Sequence, residues 1–170
     1  VTYGYFPECE VSRGDIFRDI GLNTSPASGP EKIPTYKKAT VLVVNRNCDI
    51  SKPVSTANSV LVVRVRPLAR ETERFQAAIR ENSVVSAFYL PSDGAFLQES
   101  YADWHSLQQV SKALLYATRL PGGNYLCTLD PIMRKACLGS LSVFLFKDDD
   151  HAEQDEQISF GMATQQTETS

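Results

Sequence analysis

Ser59-Val60-Leu61-Val62-Val63-Arg64-Val65-Arg66 is the stretch from which the fold is read. β-Branched residues dominate it and Pro67 stops it. A period of two places Arg64 and Arg66 on one face and Val63 and Val65 on the other. Upstream, Thr40-Val41-Leu42-Val43-Val44 is apolar at successive positions, the pattern of a central strand covered on both faces. It gives way to Asn45-Arg46-Asn47-Cys48-Asp49, a polar junction where a site can open. Earlier still, Gly14 to Ile20 alternates imperfectly and reads as a first strand, with Ile16 and Ile20 on one face and Phe17 on the other. Between these strands, residues 21–36 carry Gly21, Pro26, Gly29, Pro30 and Pro34 and read as a long surface loop.

Downstream, residues 70–82 place Phe75, Ala78 and Ile79 at helical spacing among charges, which predicts a short amphipathic helix inserted between strands. Val84–Leu90 returns to strand character, and Pro91-Ser92-Asp93-Gly94 turns it onto Ala95–Gln98 as a hairpin. Tyr101–Trp104 and Leu107–Val110 are short apolar pieces, and Lys112–Thr118 fits strand or helix equally. The clearest helix is capped by either Thr128 or Asp130, with Pro131 in its first turn. Its stripe of Ile132, Met133, Ala136, Cys137, Ser140, Leu141, Phe144 and Leu145 docks on the sheet, and it runs through Phe146. The expected fold is mainly β with α additions: an antiparallel meander with an inserted helix and a C-terminal helix packed on it.

The 170 residues, 42% hydrophobic and 22% charged, suffice for one domain, expected over residues 1–146. Residues 147–170 set Lys147 against Asp148, Asp149, Asp150, Glu153, Asp155, Glu156 and Glu168, which predicts an acidic, flexible tail and leaves a mildly basic body. No apolar run approaches the roughly 18–20 residues of a membrane span, and the first fifteen residues lack a signal-peptide core, so a soluble, cytoplasmic protein is expected. Cys9, Cys48, Cys127 and Cys137 lie far apart without a CxxC pair, arguing against a zinc ribbon or a disulfide scaffold. HExxH, calcium-loop, P-loop, GxGxxG and GxSxG patterns are all missing, so neither a metal nor a cofactor is expected, and nucleotide-dependent and α/β-hydrolase chemistry find no support.

The best functional surface is basic. Arg64 and Arg66, with Lys37 and Lys38 before the central strand and Arg46 after it, match phosphate chemistry, because guanidinium groups fit phosphate oxygens and stabilise charge on a phosphoryl group. The competing reading is an edge strand whose arginines discourage sheet-to-sheet pairing. Asp49 and His105 are candidates for moving protons; Asp49, like Asp15, also suits a turn that hydrogen-bonds backbone N–H groups. For Cys48 as a nucleophile, His105 is the sole histidine partner within the body, against the alternative of Cys48 as a small packed side chain. Tyr89, Tyr101, Trp104 and Tyr125 suit either base stacking or the core.

Arg13-Gly14-Asp15-Ile16-Phe17 opening a strand, a Pro/Gly-rich loop, a basic residue, Val41-Leu42-Val43-Val44 and a final helix together resemble the PemK/MazF family of SH3-like barrels. The motif-level resemblance covers residues 13–67. It extends to longer relatives with a Cys-Asp-Ile segment, here Cys48-Asp49-Ile50, and a later Phe-Tyr-Leu-Pro segment, here Phe88-Tyr89-Leu90-Pro91. Where the toxins of the family commonly carry Arg-Pro, this chain has Lys37-Lys38-Ala39-Thr40. The resemblance implies a small SH3-like antiparallel barrel and a metal-independent endoribonuclease toxin, with RNA as substrate and a cognate antitoxin or other protein as partner. In that reading Arg64 or Arg66 stabilises the phosphate, Asp49 or His105 moves protons, and Lys37, Lys38 and Arg46 hold RNA. The alternative is a non-catalytic binding module on the same scaffold, for nucleic acid or an acidic protein segment. A homodimer is compatible with either.

Overall fold

The structure, a computed structural model, describes residues 2–6, 10–23, 36–45, 50 and 58–147. Its elements are β1 (Tyr3–Gly4), β2 (Asp15–Asn23), β3 (Tyr36–Val43), β4 (Ser59–Pro67), a 3-10 turn (Leu68–Arg70), α1 (Glu73–Arg80), β5 (Ala87–Leu90), β6 (Ser100–Ser111), α2 (Lys112–Thr118) and β7 (Tyr125–Leu129). A C-terminal helix, α3, follows over residues 131–147. The fold is mainly β with α additions, as expected. All strands join one antiparallel sheet in the order β1-β7-β2-β3-β4-β6-β5.

The expected barrel is not closed, because the edge strands β1 and β5 do not pair with each other. β5 stops at Leu90 before Pro91, which has no N–H to extend a ladder. The gap is bridged instead by a side chain, the Tyr3 hydroxyl donating to the Pro91 carbonyl at 2.7 Å. Burial and neighbouring negative charge push this phenol far above its ordinary pKa, in keeping with a purely structural donor.

The sheet has a core on each face. One joins Ile16, Leu42, Val63, Val65, Phe88, Leu90, Trp104 and Leu129 and is covered by α3 through Cys137 and Leu141. The other joins Phe17, Ile20, Leu22, Val41, Val43, Val60, Val62 and Leu115, the last from α2. β3 therefore contributes alternately to both, the outcome expected of its unbroken apolar run. A third cluster, Leu68, Ile79, Ala87 and Tyr101, lies under α1.

Several local expectations are corrected. Ile16 and Ile20 lie on opposite faces, since Asp19 takes a left-handed φ of 55° and the β2–β3 register shifts between Phe17 and Ile20. That bulge inserts a residue and turns Ile20 toward Phe17 and Leu22. The loop read over 21–36 is shorter at both ends, as β2 continues through Asn23 and β3 begins at Tyr36. β5 pairs with β6 rather than with Ala95–Gln98, because the Asp93 carboxylate accepts from the N–H groups of Ala95, Phe96 and Leu97 and holds that segment as a turn. The two apolar pieces at 101–110 are one strand. Lys112–Thr118 is helical, its first turn capped by the Ser111 hydroxyl. Asp130 caps α3, accepting from Ile132 N at 2.8 Å and Met133 N at 3.0 Å, while Thr128 lies within β7 and donates its hydroxyl to Asp15.

Candidate functional site

Arg64 and Arg66 project from the middle of the sheet. β4 lies between β3 and β6, which removes the edge-strand reading of its arginines. Their face continues the second core: Val43 pairs with Val62, and one step along Val41 pairs with Arg64. Apolar side chains thus give way to cationic ones along a single face of two adjacent strands. Beyond that point the strands and the 3-10 turn enclose a cleft of about 320 Å³ lined by Lys37, Lys38, Arg64, Arg66, Arg70 and Glu71, with Ala39, Thr40, Val65 and Pro67 between them. Glu71, the only carboxylate among these lining residues, accepts from the Tyr101 hydroxyl at 2.7 Å. Burial and that carboxylate hold the Tyr101 phenol above its ordinary pKa, so it stays a donor.

A second cleft of about 350 Å³ shares Arg64 and Arg66 as its wall and adds Asn23, Asp103, His105, Ser106, Leu107 and Gln108. It exists because β6 bulges. Val62 pairs with Gln108 but Arg64 with Asp103, so β6 spends several residues where β4 spends two. The bulge is pinned from inside: the Ser106 hydroxyl donates to the Asp103 carbonyl at 2.6 Å and accepts from Arg64 N at 2.7 Å. Asp103 then organises the groove. One of its carboxylate oxygens takes the Arg66 Nε–H at 2.7 Å and the other takes His105 N at 3.1 Å.

The arginines therefore differ. Arg66 is held by an ion pair and is 40% exposed at its side chain. Arg64 is half-buried, and its Nε lies out of solvent without a hydrogen-bond partner among the described residues. Among the described residues the Nε–H of Arg119 is unmatched in the same way; that of Arg64 borders a cleft and is a donor available to an incoming acceptor. His105 is exposed, its ring edge-on to Phe144 of α3 at 5.1 Å and 89°.

Of the residues singled out from sequence, Lys37, Lys38, Arg64, Arg66 and His105 line this pair of adjoining clefts. Asp49, Arg46 and Cys48 lie outside the described residues. Asp103 and Arg70 were missed: Asp103 sat in an apolar run that read as core, and Arg70 in a helix that begins three residues later. Tyr101, Trp104 and Tyr125 are buried, Trp104 donating its indole N–H to Ser140 at 3.2 Å, so they are core rather than stacking surfaces.

Asp15 is not part of the groove. It is fully buried against Arg119, and it accepts from Thr128 Oγ1 at 2.5 Å and Ser12 N at 2.7 Å. Burial pushes its carboxyl above the ordinary value, while the hydrogen bonds from Thr128 and Ser12 and the Arg119 charge pull it back. Arg119 also donates to the Phe6 carbonyl at 2.9 Å and stacks over Tyr125 at 4.1 Å. This is a clasp between β2, the end of α2, β7 and the N-terminal segment. Cys127 and Cys137 are buried, and burial pushes both thiols up to about 12, which keeps them protonated and unreactive.

Among the described residues no group of three or more His, Cys, Asp or Glu side chains is placed to hold a metal ion, and no helix is long and apolar enough to cross a membrane. No family model matches the chain, and no curated protein matches it either.

Proposed function

We infer that the groove binds the phosphodiester backbone of RNA and that the protein is a PemK/MazF-like, metal-independent endoribonuclease. The observation that carries this reading is the shared wall: Arg64 and Arg66 line one cleft with Lys37, Lys38 and Arg70 and the other with His105. Two pinned carboxylates, Asp103 and Glu71, leave the groove strongly cationic. In the proposed reaction the ribose 2′-oxygen attacks the adjacent phosphorus and the bond to the 5′-oxygen breaks. The 2′-hydroxyl proton passes to His105 and a proton returns to the leaving 5′-oxygen, giving a cyclic phosphate and a 5′-hydroxyl. Arg64, with its unmatched Nε–H, stabilises the charge that gathers on the phosphate oxygens.

One observation favours a second reading, a binding module without turnover. Asp103 is committed to Arg66 and to the His105 backbone, so among the described residues lining the groove His105 alone remains to move protons. A single experiment separates the two. Mixed-sequence RNA is incubated in EDTA with the wild type and with Arg64→Ala/Arg66→Ala, product ends are mapped, and binding is followed against salt. Discrete cuts that end in cyclic phosphate and vanish in the variant support the nuclease. Intact RNA, with binding that weakens as salt rises and a salt slope that falls by roughly 0.7 per arginine removed, supports the module. RNA that is neither cut nor bound overturns both.

A further inference from the structure

One carboxylate stands in a cleft otherwise suited to anions. Glu71 lines the first cleft beside Lys37, Lys38, Arg64, Arg66 and Arg70. It repels the phosphates that those cations attract. Its place is nevertheless fixed. The Glu71 N–H donates to the Leu68 carbonyl at 3.0 Å and closes the 3-10 turn, and the Glu71 carbonyl accepts from the Gln76 side-chain amide at 2.8 Å. Its carboxylate is held by a neutral group, Oε1 accepting from the hydroxyl of the buried Tyr101 at 2.7 Å. The ion pairs among the described residues lie elsewhere, joining Arg66 to Asp103, Arg80 to Glu99 and Arg119 to Asp15. Oε2 therefore has no partner among the described residues, and the side chain keeps acceptor capacity inside a cleft full of donors.

We propose that Glu71 selects guanine, taking the N1–H and the N2 amino group of the base on its two carboxylate oxygens. The proposal rests on the RNA reading of the groove and names the base that the first cleft holds. An ionised carboxylate only accepts hydrogen bonds, so the matching edge is one of donors. Guanine alone carries two donors side by side on its Watson–Crick edge. Adenine and cytosine set one amino group beside a ring acceptor, and uracil sets one N–H between two carbonyls, so each would bring an acceptor against a carboxylate oxygen. The two parallel bonds repeat the fork that arginine makes to a carboxylate, with the base in the place of the guanidinium. Sequence-specific recognition of RNA uses such edges where a base is unstacked.

The surroundings suit the rest of the nucleotide. The guanine O6 lies next to N1 on the same edge and is an acceptor for the cations that share the cleft. A cleft of about 320 Å³ falls at the lower end of the ~300–1,000 Å³ range of small-ligand pockets, a size for one base. Arg64 and Arg66 also wall the cleft that contains His105, so a base at Glu71 and a phosphate at these arginines belong to neighbouring positions of one strand.

The test uses the full chain and short oligoadenosines whose central nucleotide is guanosine, inosine, adenosine, cytidine or uridine. Binding is followed by fluorescence anisotropy and cut positions are mapped in EDTA. The wild type should bind the guanosine oligonucleotide about 30-fold more tightly than those with adenosine, cytidine or uridine. Inosine, which lacks the N2 amino group, should lose about 10-fold against guanosine. Glu71→Gln keeps an acceptor for the Tyr101 hydroxyl and so preserves the turn. It should bring guanosine to within about 3-fold of the other bases, while those bases bind as tightly as before or more tightly because a negative charge has left the cleft. A structural defect would instead weaken all of them together. Equal binding of every central base by the wild type, inosine bound as tightly as guanosine, a guanosine preference that survives Glu71→Gln, or a uniform loss in that variant would each overturn the proposal with the RNA reading still standing. Oligonucleotides neither bound nor cut would overturn the RNA reading and the proposal with it.

Discussion

Replacing Arg119 by leucine strands a carboxylate. Asp15 has no exposed surface and the Arg119 side chain is only 4% exposed, so their ion pair is buried on both sides. Arg119→Leu removes the charge opposite Asp15, the donor to the Phe6 carbonyl and the guanidinium over Tyr125. Thr128 and Ser12 still hydrogen-bond the carboxylate. Losing one partner of a buried pair costs about 3–5 kcal/mol, against a total of roughly 5–15 kcal/mol for a domain. Adding Asp15→Asn removes the stranded charge at nearly constant shape, so the double variant should recover about 1–2 kcal/mol relative to Arg119→Leu. Urea unfolding followed by the single, buried Trp104 measures both. The pH dependence carries a sign. Burial raises the Asp15 carboxyl above its ordinary 3.8, and without Arg119 it rises further. The native state then binds a proton more tightly than the unfolded chain, so the penalty is smallest below 3.8 and grows as pH rises. An Arg119→Leu penalty under about 1 kcal/mol, or a double variant no better than the single, would refute the reasoning. So would an Asp15→Asn protein of unchanged stability whose RNA chemistry alone was lost.

Two smaller effects follow from the same approach. The Arg80 fork, with both contacts at 2.7 Å, and the Tyr89 hydroxyl hold Glu99 at about 2 instead of 4.5. Its contribution is present above pH 4.5 and lost as pH falls through about 2, so wild type and Glu99→Gln should converge at the acid end of a denaturation series. The gap between them stays small because the pair is exposed and screened. Asp130→Ala should cost about 1 kcal/mol in urea unfolding by leaving the N–H groups of Ile132 and Met133 without their cap, and Asp130→Ser should restore most of it.

What the sequence disclosed depended on whether a signal was local. Val63 and Val65 against Arg64 and Arg66 was a matter of period, and the strand obeyed it. The bulge at Asp19 was not, because nothing about an aspartate amid β residues announces a left-handed φ. β1 is two residues long and exists only by pairing with β7. β7 itself was overlooked, since Thr128-Leu129 abuts a helix start and was read as part of it. At the groove, positively charged residue types could be found by inspection, but their convergence depends on strand order, and Asp103 acts through a bulge that only the pairing with β4 creates. Of the stripe read on α3, Met133, Cys137, Leu141 and Phe144 meet the sheet as expected, whereas Ile132 and Leu145 at its margins are exposed, because a period of 3.6 does not fix how wide the docked face is.

The position of the groove follows from where the second core runs out. On β4 one face reads Val60, Val62, Arg64, Arg66, and the facing stretch of β3 reads Val43, Val41, Ala39, Lys37. Arg64 lies across from Val41, so its aliphatic stem prolongs the apolar surface while its charged end begins the polar one. Were β6 to continue in register, its side chains would cover this boundary. The bulge held by Ser106 breaks the register and substitutes a carboxylate that fixes one arginine. The other arginine gains no such partner among the described residues, and its Nε stays unmatched there. A fold selected for stability alone would satisfy that donor or replace it with another valine, continuing the row that Val60 and Val62 begin. Arg119 beside Asp15 leaves its Nε equally unmatched among the described residues, but it is buried and spent on Asp15 and Phe6. Arg64 lies instead where five cations share the wall of an open cleft, which is the physical ground for placing function there rather than at the buried Asp15 or the buried thiols.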